Sequence, residues 1–137
     1  MSTSQIYAVL KRLEDADFIE GRQIEVDDAP SRIVYRVTDL GEKSLSDWML
    51  DPDPPTSIHR IRVLFLSRIY IARLLGEPVE QILDYQMTAC TRQHQTLLME
   101  RREVDSLFER LTLDYVIGQL NSVIFWLGHC RKELSSD

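Results

Sequence analysis

From Gln5 to Asp15 the apolar residues Ile6, Val9, Leu10 and Leu13 recur at steps of three and four, the spacing of an amphipathic helix. Ser2, Thr3 and Ser4 stand in front of it and supply N-cap side chains. The period then shortens. Phe18 to Val26 and Arg32 to Val37 are β-rich runs, the second alternating Ile33, Tyr35 and Val37 with Val34 and Arg36. The polar stretch Asp27-Asp28-Ala29-Pro30-Ser31 between them predicts a hairpin turn. Thr38 caps a second helix, Asp39 to Met49, with Leu40, Leu45, Trp48 and Met49 on its apolar side.

Asp51-Pro52-Asp53-Pro54-Pro55-Thr56-Ser57 ends that helix, because proline cannot continue one and drives its predecessor to extended backbone. It reads as a short semi-rigid linker. Past it the pattern is helical throughout. Ile58 to Leu75 carries Ile61, Leu64, Phe65, Ile69, Ala72 and Leu75 and stops at Gly76. Pro78 suits the first turn of the next helix, whose stripe runs through Val79, Ile82, Leu83, Met87, Cys90, His94, Leu97, Leu98, Arg101 and Val104. Ser106-Leu107-Phe108-Glu109 has the form of a capping box and restarts a helix carrying Leu113, Val116, Ile117, Leu120, Val123, Ile124, Leu127 and Leu134. The chain therefore divides into residues 1–50, a linker at 51–57, and a helical region at 58–137. Stripes this long expose more apolar surface than one short domain covers, which points to dimerisation, with Leu83, Met87, Leu97, Leu98, Leu120, Ile124 and Leu127 as the candidate contacts.

Composition narrows the class. The chain has 137 residues, 44% hydrophobic and 28% charged, the make-up of an ordinary soluble domain. No apolar run approaches the length of a membrane span, and the amino terminus has neither the basic stub nor the apolar stretch of a secretory signal. Cys90 and Cys130 cannot form a disulfide framework, so a cytoplasmic location is expected. His59, His94 and His129 lack the spacing of a helical metal site. No nucleophile arrangement or glycine-rich phosphate loop occurs, so neither an enzyme nor a cofactor is expected. The net charge is −6, and residues 1–50 hold six basic against ten acidic side chains, a poor footprint for nucleic acid.

A helix, a hairpin and a helix within about 50 residues is nonetheless a DNA-reading arrangement, a groove helix with a wing beside it. Gln5-Ile6-Tyr7-Ala8-Val9-Leu10-Lys11-Arg12-Leu13-Glu14 resembles the recognition-helix motif of PadR-type transcriptional regulators, roughly I/L-Y-x-x-L-x-R-L-E. Arg32-Ile33-Val34-Tyr35-Arg36-Val37-Thr38-Asp39-Leu40-Gly41 is similar to the family's second wing strand, R-x-x-Y-x-x-T-x-x-G, and Asp47-Trp48 sits where that domain commonly ends. Residues 58–137 resemble the helical dimerisation region of the family's virulence-activator branch. The implied fold is mainly α with a small β-hairpin: a partial winged helix-turn-helix, lacking the family's first two helices, followed by a long-helix dimerisation bundle. Without those helices the inner face of Ile6, Val9, Leu10 and Leu13 is expected to lack cover.

The resemblance implies a homodimer that binds double-stranded operator DNA once the winged helix is completed, and that answers to a small aromatic or apolar effector. The alternative is a DNA-binding-deficient dimerisation module derived from such a regulator. Carried over by residue, the groove-facing candidates are Ser2, Thr3, Ser4, Gln5, Tyr7 and Lys11, with Arg32 on a phosphate. Tyr70, Tyr85, Tyr115, Phe125 and Trp126 are the aromatics an effector site would draw on, and most of them are expected in the core. Asp17 stands where the family usually has glycine, and the wing tip Asp27-Asp28 is acidic.

Overall fold

A computed structural model of the chain describes residues 2–26 and 29–135. The elements in chain order are α1 (Thr3–Asp15), β1 (Ile19–Val26), β2 (Ala29–Val37), α2 (Asp39–Met49), α3 (Ile58–Leu75), α4 (Glu80–Glu103) and α5 (Leu107–Leu134). They form two compact units, residues 1–48 and residues 49–137.

In the first unit, α1 begins with a reciprocal capping box. Gln5 N donates to Ser2 Oγ at 3.4 Å, and Ser2 N donates to Gln5 Oε1 at 2.8 Å. The helix ends in a Schellman turn: Phe18 N donates to Leu13 O and Asp17 N to Glu14 O. That turn needs a left-handed residue, and Asp17 takes the position at φ 58°. β1 and β2 then pair antiparallel with Ile19 opposite Val37, Gly21 opposite Tyr35 and Ile24 opposite Arg32. The polar residues 27–31 do not all lie in the turn their composition suggests. Ala29, Pro30 and Ser31 instead belong to β2, with a register irregularity between Ile24 and Val26, while Asp27 and Asp28 lie outside the described residues.

Thr38 joins wing to helix. Its hydroxyl donates to Asp17 O at 2.6 Å and accepts from Gly41 N at 3.1 Å, while its own N–H donates to Phe18 O. One side chain thus caps α2 and ties it to the turn after α1. Gly41 is buried against Phe18, and a Cβ there would overlap the Phe18 carbonyl oxygen and approach Val37 Cγ1 to 2.9 Å. The threonine and glycine of the T-x-x-G motif are therefore explained by packing.

The second unit is built from α3, α4 and α5. Its core contains Ile61, Phe65, Ile69 and Ala72 of α3, Ile82, Leu83, Ala89, Cys90 and Leu97 of α4, and Ile117, Leu120 and Leu127 of α5. Phe65 meets Trp126 edge-on, with ring centroids 5.5 Å apart. Arg101 of α4 holds Asp114 of α5 through two hydrogen bonds, at 2.6 and 3.1 Å, which keeps that carboxyl below the usual carboxylate range. The Cys90 thiol is buried, and burial pushes its pKa up, as fits a packed side chain.

The proline-rich segment is packed onto this unit. Pro54 is buried, Asp51 lies 3.6 Å from the buried Arg68, Asp53 pairs with Arg92, and Gln86 Nε2 donates to Pro55 O at 3.2 Å. Gln86 is only 1% exposed, so the α4 stripe runs through Gln86 and Ala89 where the periodicity suggests the half-buried Met87. Pro78 precedes α4, which starts at Glu80 with Val79 as N-cap.

α3 ends at Gly76 with φ 71°, and Glu77 N donates to Ala72 O. A Cβ at Gly76 would meet nothing within 4 Å, so Gly76→Ala is a pure backbone substitution. It should lower the stability of the second unit by about 1 kcal/mol, read as a fall in the urea midpoint. An unchanged midpoint would contradict the assigned left-handed cap.

Candidate nucleic-acid interface

α1 contains no buried residue. Val9, Leu10 and Leu13 are half-buried, and Ile6 is 44% exposed. Among the described residues the inner face of α1 is thus only partly covered. On the hairpin side, Thr3, Ile6, Tyr7 and Leu10 face Ser31, Arg32, Ile33 and Tyr35 across an open groove of about 580 Å³.

The seven candidate DNA contacts separate into three groups. Ser2 and Gln5 are engaged with each other in the capping box, so Gln5 could pair with adenine through both amide atoms only by sharing the oxygen that holds Ser2 N. Thr3, Tyr7 and Arg32 come together at the groove. Tyr7 stands one helical turn from Thr3 and Leu10 and remains 64% exposed. Ser4 and Lys11, seven residues apart, share one exposed face of α1.

The wing carries its own charge pairing. Glu20 lies 3.5 Å from Arg36 and 3.8 Å from Arg22, so two of the unit's six basic side chains have an acidic partner on the hairpin. In α2, Lys43 donates to Asp47 at 2.6 Å. Sequence reasoning misses Glu20 in this role; its cross-strand position opposite Arg36 is the available signal.

In the second unit, four of the residues expected at a dimer contact, Leu83, Leu97, Leu120 and Leu127, are 9% exposed or less and fill the chain's own core. Met87, Leu98 and Ile124 are half-buried. The apolar side chains open to a partner are different ones. Tyr70, Tyr115 and Phe125 are 65%, 67% and 82% exposed, which corrects the expectation that most of these aromatics lie in the core. Trp126 and Tyr85 are half-buried. A cleft of about 330 Å³ between α3 and α5 is lined by Ile58, Ile61, Val123 and Trp126 together with the polar His59, Arg62 and Ser122. Among the described residues, no group of three His, Cys, Asp or Glu could hold a metal ion, and no helix is long and apolar enough to cross a membrane.

A capped helix, an antiparallel wing and a following helix tied through Thr38 define a winged-helix segment. Residues 1–47 match the transcriptional regulator PadR-like family. Two solved structures are similar to the chain at 20% identity and a TM-score of 0.41. The Bacillus subtilis PadR–operator DNA complex matches over 95% of this chain and 78% of that one. The smu.1604c protein of Streptococcus mutans UA159 matches over 98% and 79%. No curated protein matches the chain.

Proposed function

We propose that the protein is a DNA-binding transcriptional regulator of PadR type that acts as a homodimer, each copy presenting α1 to one half-site of an operator. The observation that carries this reading is the family match over residues 1–47, the same stretch that folds as helix, wing and helix. Ser4 and Lys11 are the contacts the exposed face of α1 offers: a hydroxyl for a phosphate or base edge, and an ammonium for a phosphate. Arg32 adds charge from the wing. A small aromatic or apolar effector would find the α3–α5 cleft within the usual size range of ligand sites. No metal or cofactor enters this reading.

The test is selection from a random duplex pool, followed by a salt titration of the selected site. A sequence-selective complex is expected, with a shallow salt dependence because Glu20 and Asp47 already neutralise part of the first unit's positive charge. Lys11→Ala should lower the slope of log K against log salt by about 0.9 for each phosphate it no longer neutralises, while weakening all sequences alike. A chain that retains no duplex even at low salt would defeat the regulator reading. It would favour a module that dimerises without gripping DNA, and one observation speaks for that alternative: the ten acidic side chains among residues 1–50.

A further inference from the structure

One acidic side chain of the first unit stands where two electrostatic rules oppose it. Glu14 lies in the last turn of α1, where the helix dipole disfavours a carboxylate, and in the unit that the regulator reading sets against a polyanion. Its geometry gives a reason for its presence. Glu14 Oε1 accepts from Gly21 N of β1 at 3.1 Å, and the Glu14 carbonyl accepts from Asp17 N at 2.9 Å. The residue thus holds both the turn that leaves α1 and the strand that follows it. Among the described residues this is the one side-chain hydrogen bond from α1 to either strand.

The strand is built to receive it. β1 and β2 form a two-stranded sheet, so each keeps a free edge. Antiparallel pairs alternate between bonded and unbonded, and Thr38 N donates to Phe18 O. Glu20–Arg36 and Arg22–Val34 are therefore bonded pairs, and the N–H of Gly21, opposite Tyr35, points away from β2. A Cβ on Gly21 would stand 2.8 Å from Glu14 Oε1 and 3.0 Å from both Ile33 Cγ2 and Tyr35 Cε1. The carboxylate reaches the backbone because no side chain occupies that space. Elsewhere α1 and the hairpin face each other across an open groove, and α1 buries no residue, so apolar packing alone sets their angle loosely.

We propose that Glu14 is a positioning residue for DNA binding. Through Gly21 it fixes the angle between α1 and the wing, so that Lys11 of α1 and Arg32 of β2 reach the phosphates of one duplex together. The proposal rests on the regulator reading above and adds the part that couples its two contact elements. Glu14 acts through Gly21 and needs no contact with DNA. The sign of its effect separates positioning from charge. Removing a carboxylate that acts only through its charge tightens DNA binding. Removing one that positions the wing weakens it.

The test compares Glu14→Ala, Glu14→Gln and Gly21→Ala in the full chain, first without DNA. Residual dipolar couplings of the backbone amides report how α1 and the hairpin are oriented. Wild type and Glu14→Gln, whose amide oxygen accepts the same bond, should give one common alignment for α1, β1 and β2. In Glu14→Ala and Gly21→Ala the hairpin couplings should shrink relative to those of α1, while hydrogen exchange shows the strands still paired. Unchanged couplings in Glu14→Ala overturn the proposal, whatever the duplex does. On the selected duplex, Glu14→Ala should bind about tenfold more weakly, the worth of one charge-assisted contact. It should also lose about 0.9 from the slope of log K against log salt as Arg32 leaves its phosphate, and Glu14→Gln should keep the wild-type slope. In an Arg32→Ala background, Glu14→Ala should cost nothing further, and a full additional loss there overturns the coupling to Arg32. Tighter binding by both Glu14 variants overturns positioning in favour of plain charge. A wild type that retains no duplex defeats the regulator reading, and the dipolar couplings separate that failure from a failure of the Glu14–Gly21 tie.

Discussion

Gly41→Ala should dismantle the N-terminal unit while leaving the helices of the second unit folded. The added Cβ would overlap the Phe18 carbonyl oxygen and stand 2.9 Å from Val37 Cγ1. Neither neighbour can yield easily. The carbonyl accepts from Thr38 N–H and belongs to the turn held by Asp17, and Val37 is paired with Ile19 in the wing. Overpacking a tight site costs about 1–3 kcal/mol when side chains can shift, and backbone overlap lies at or beyond the upper end of that range. Hydrogen exchange should show residues 3–48 losing protection while α4 and α5 keep theirs, and DNA binding should vanish with it. Full protection of the wing in the variant would mean that α2 can move away from Phe18 at little cost.

Phe65→Ala should destabilise the second unit by about 3–5 kcal/mol, the usual cost of removing a buried phenylalanine. Phe65 is fully buried and edge-on to Trp126, so its loss removes both apolar burial and an aromatic pair. Urea unfolding should register the fall, and Trp126 emission should shift to longer wavelength as the ring gains water. A change of less than about 1 kcal/mol would require the three helices to close over the gap, which close-packed interiors do only in part.

Much of the fold is legible in the sequence because helix ends are local events. Ser106, Thr38 and Gly76 stop or start helices through bonds to residues within five positions. The cap of α1 is equally local, although choosing Ser2 over Thr3 and Ser4 depends on Gln5 standing three residues later. The strand alternation of the wing is legible for the same reason, whereas Thr38 and Gly41 are required by Asp17 and Phe18, more than twenty positions earlier. What is not local is not legible. Gln86 reads as a polar interruption of α4, yet it is buried because Pro55, thirty-one residues away in sequence, offers it a carbonyl.

The candidate site divides along the same line. Lys11 and Ser4 fall on an exposed face as a helical wheel predicts, and Tyr7 lines the open groove with Ile33 and Tyr35 while staying 64% exposed. The first unit is net acidic, and Glu20 pairs with Arg22 and Arg36, which neutralises part of its positive charge.

Periodicity, caps and turn residues are enough to divide these residues into a wing-bearing unit and a helical one, since they act over a few positions of chain. They cannot say which of two apolar stripes on one helix is turned inward. α5 has both, one through Leu120 and Leu127 and one through Tyr115 and Phe125, and either would satisfy the same pattern. Packing against α3 and α4 makes that choice, because it depends on which surfaces from distant parts of the chain meet. In making it, packing draws into the core the leucines that the pattern assigns to a partner and leaves the aromatics outside.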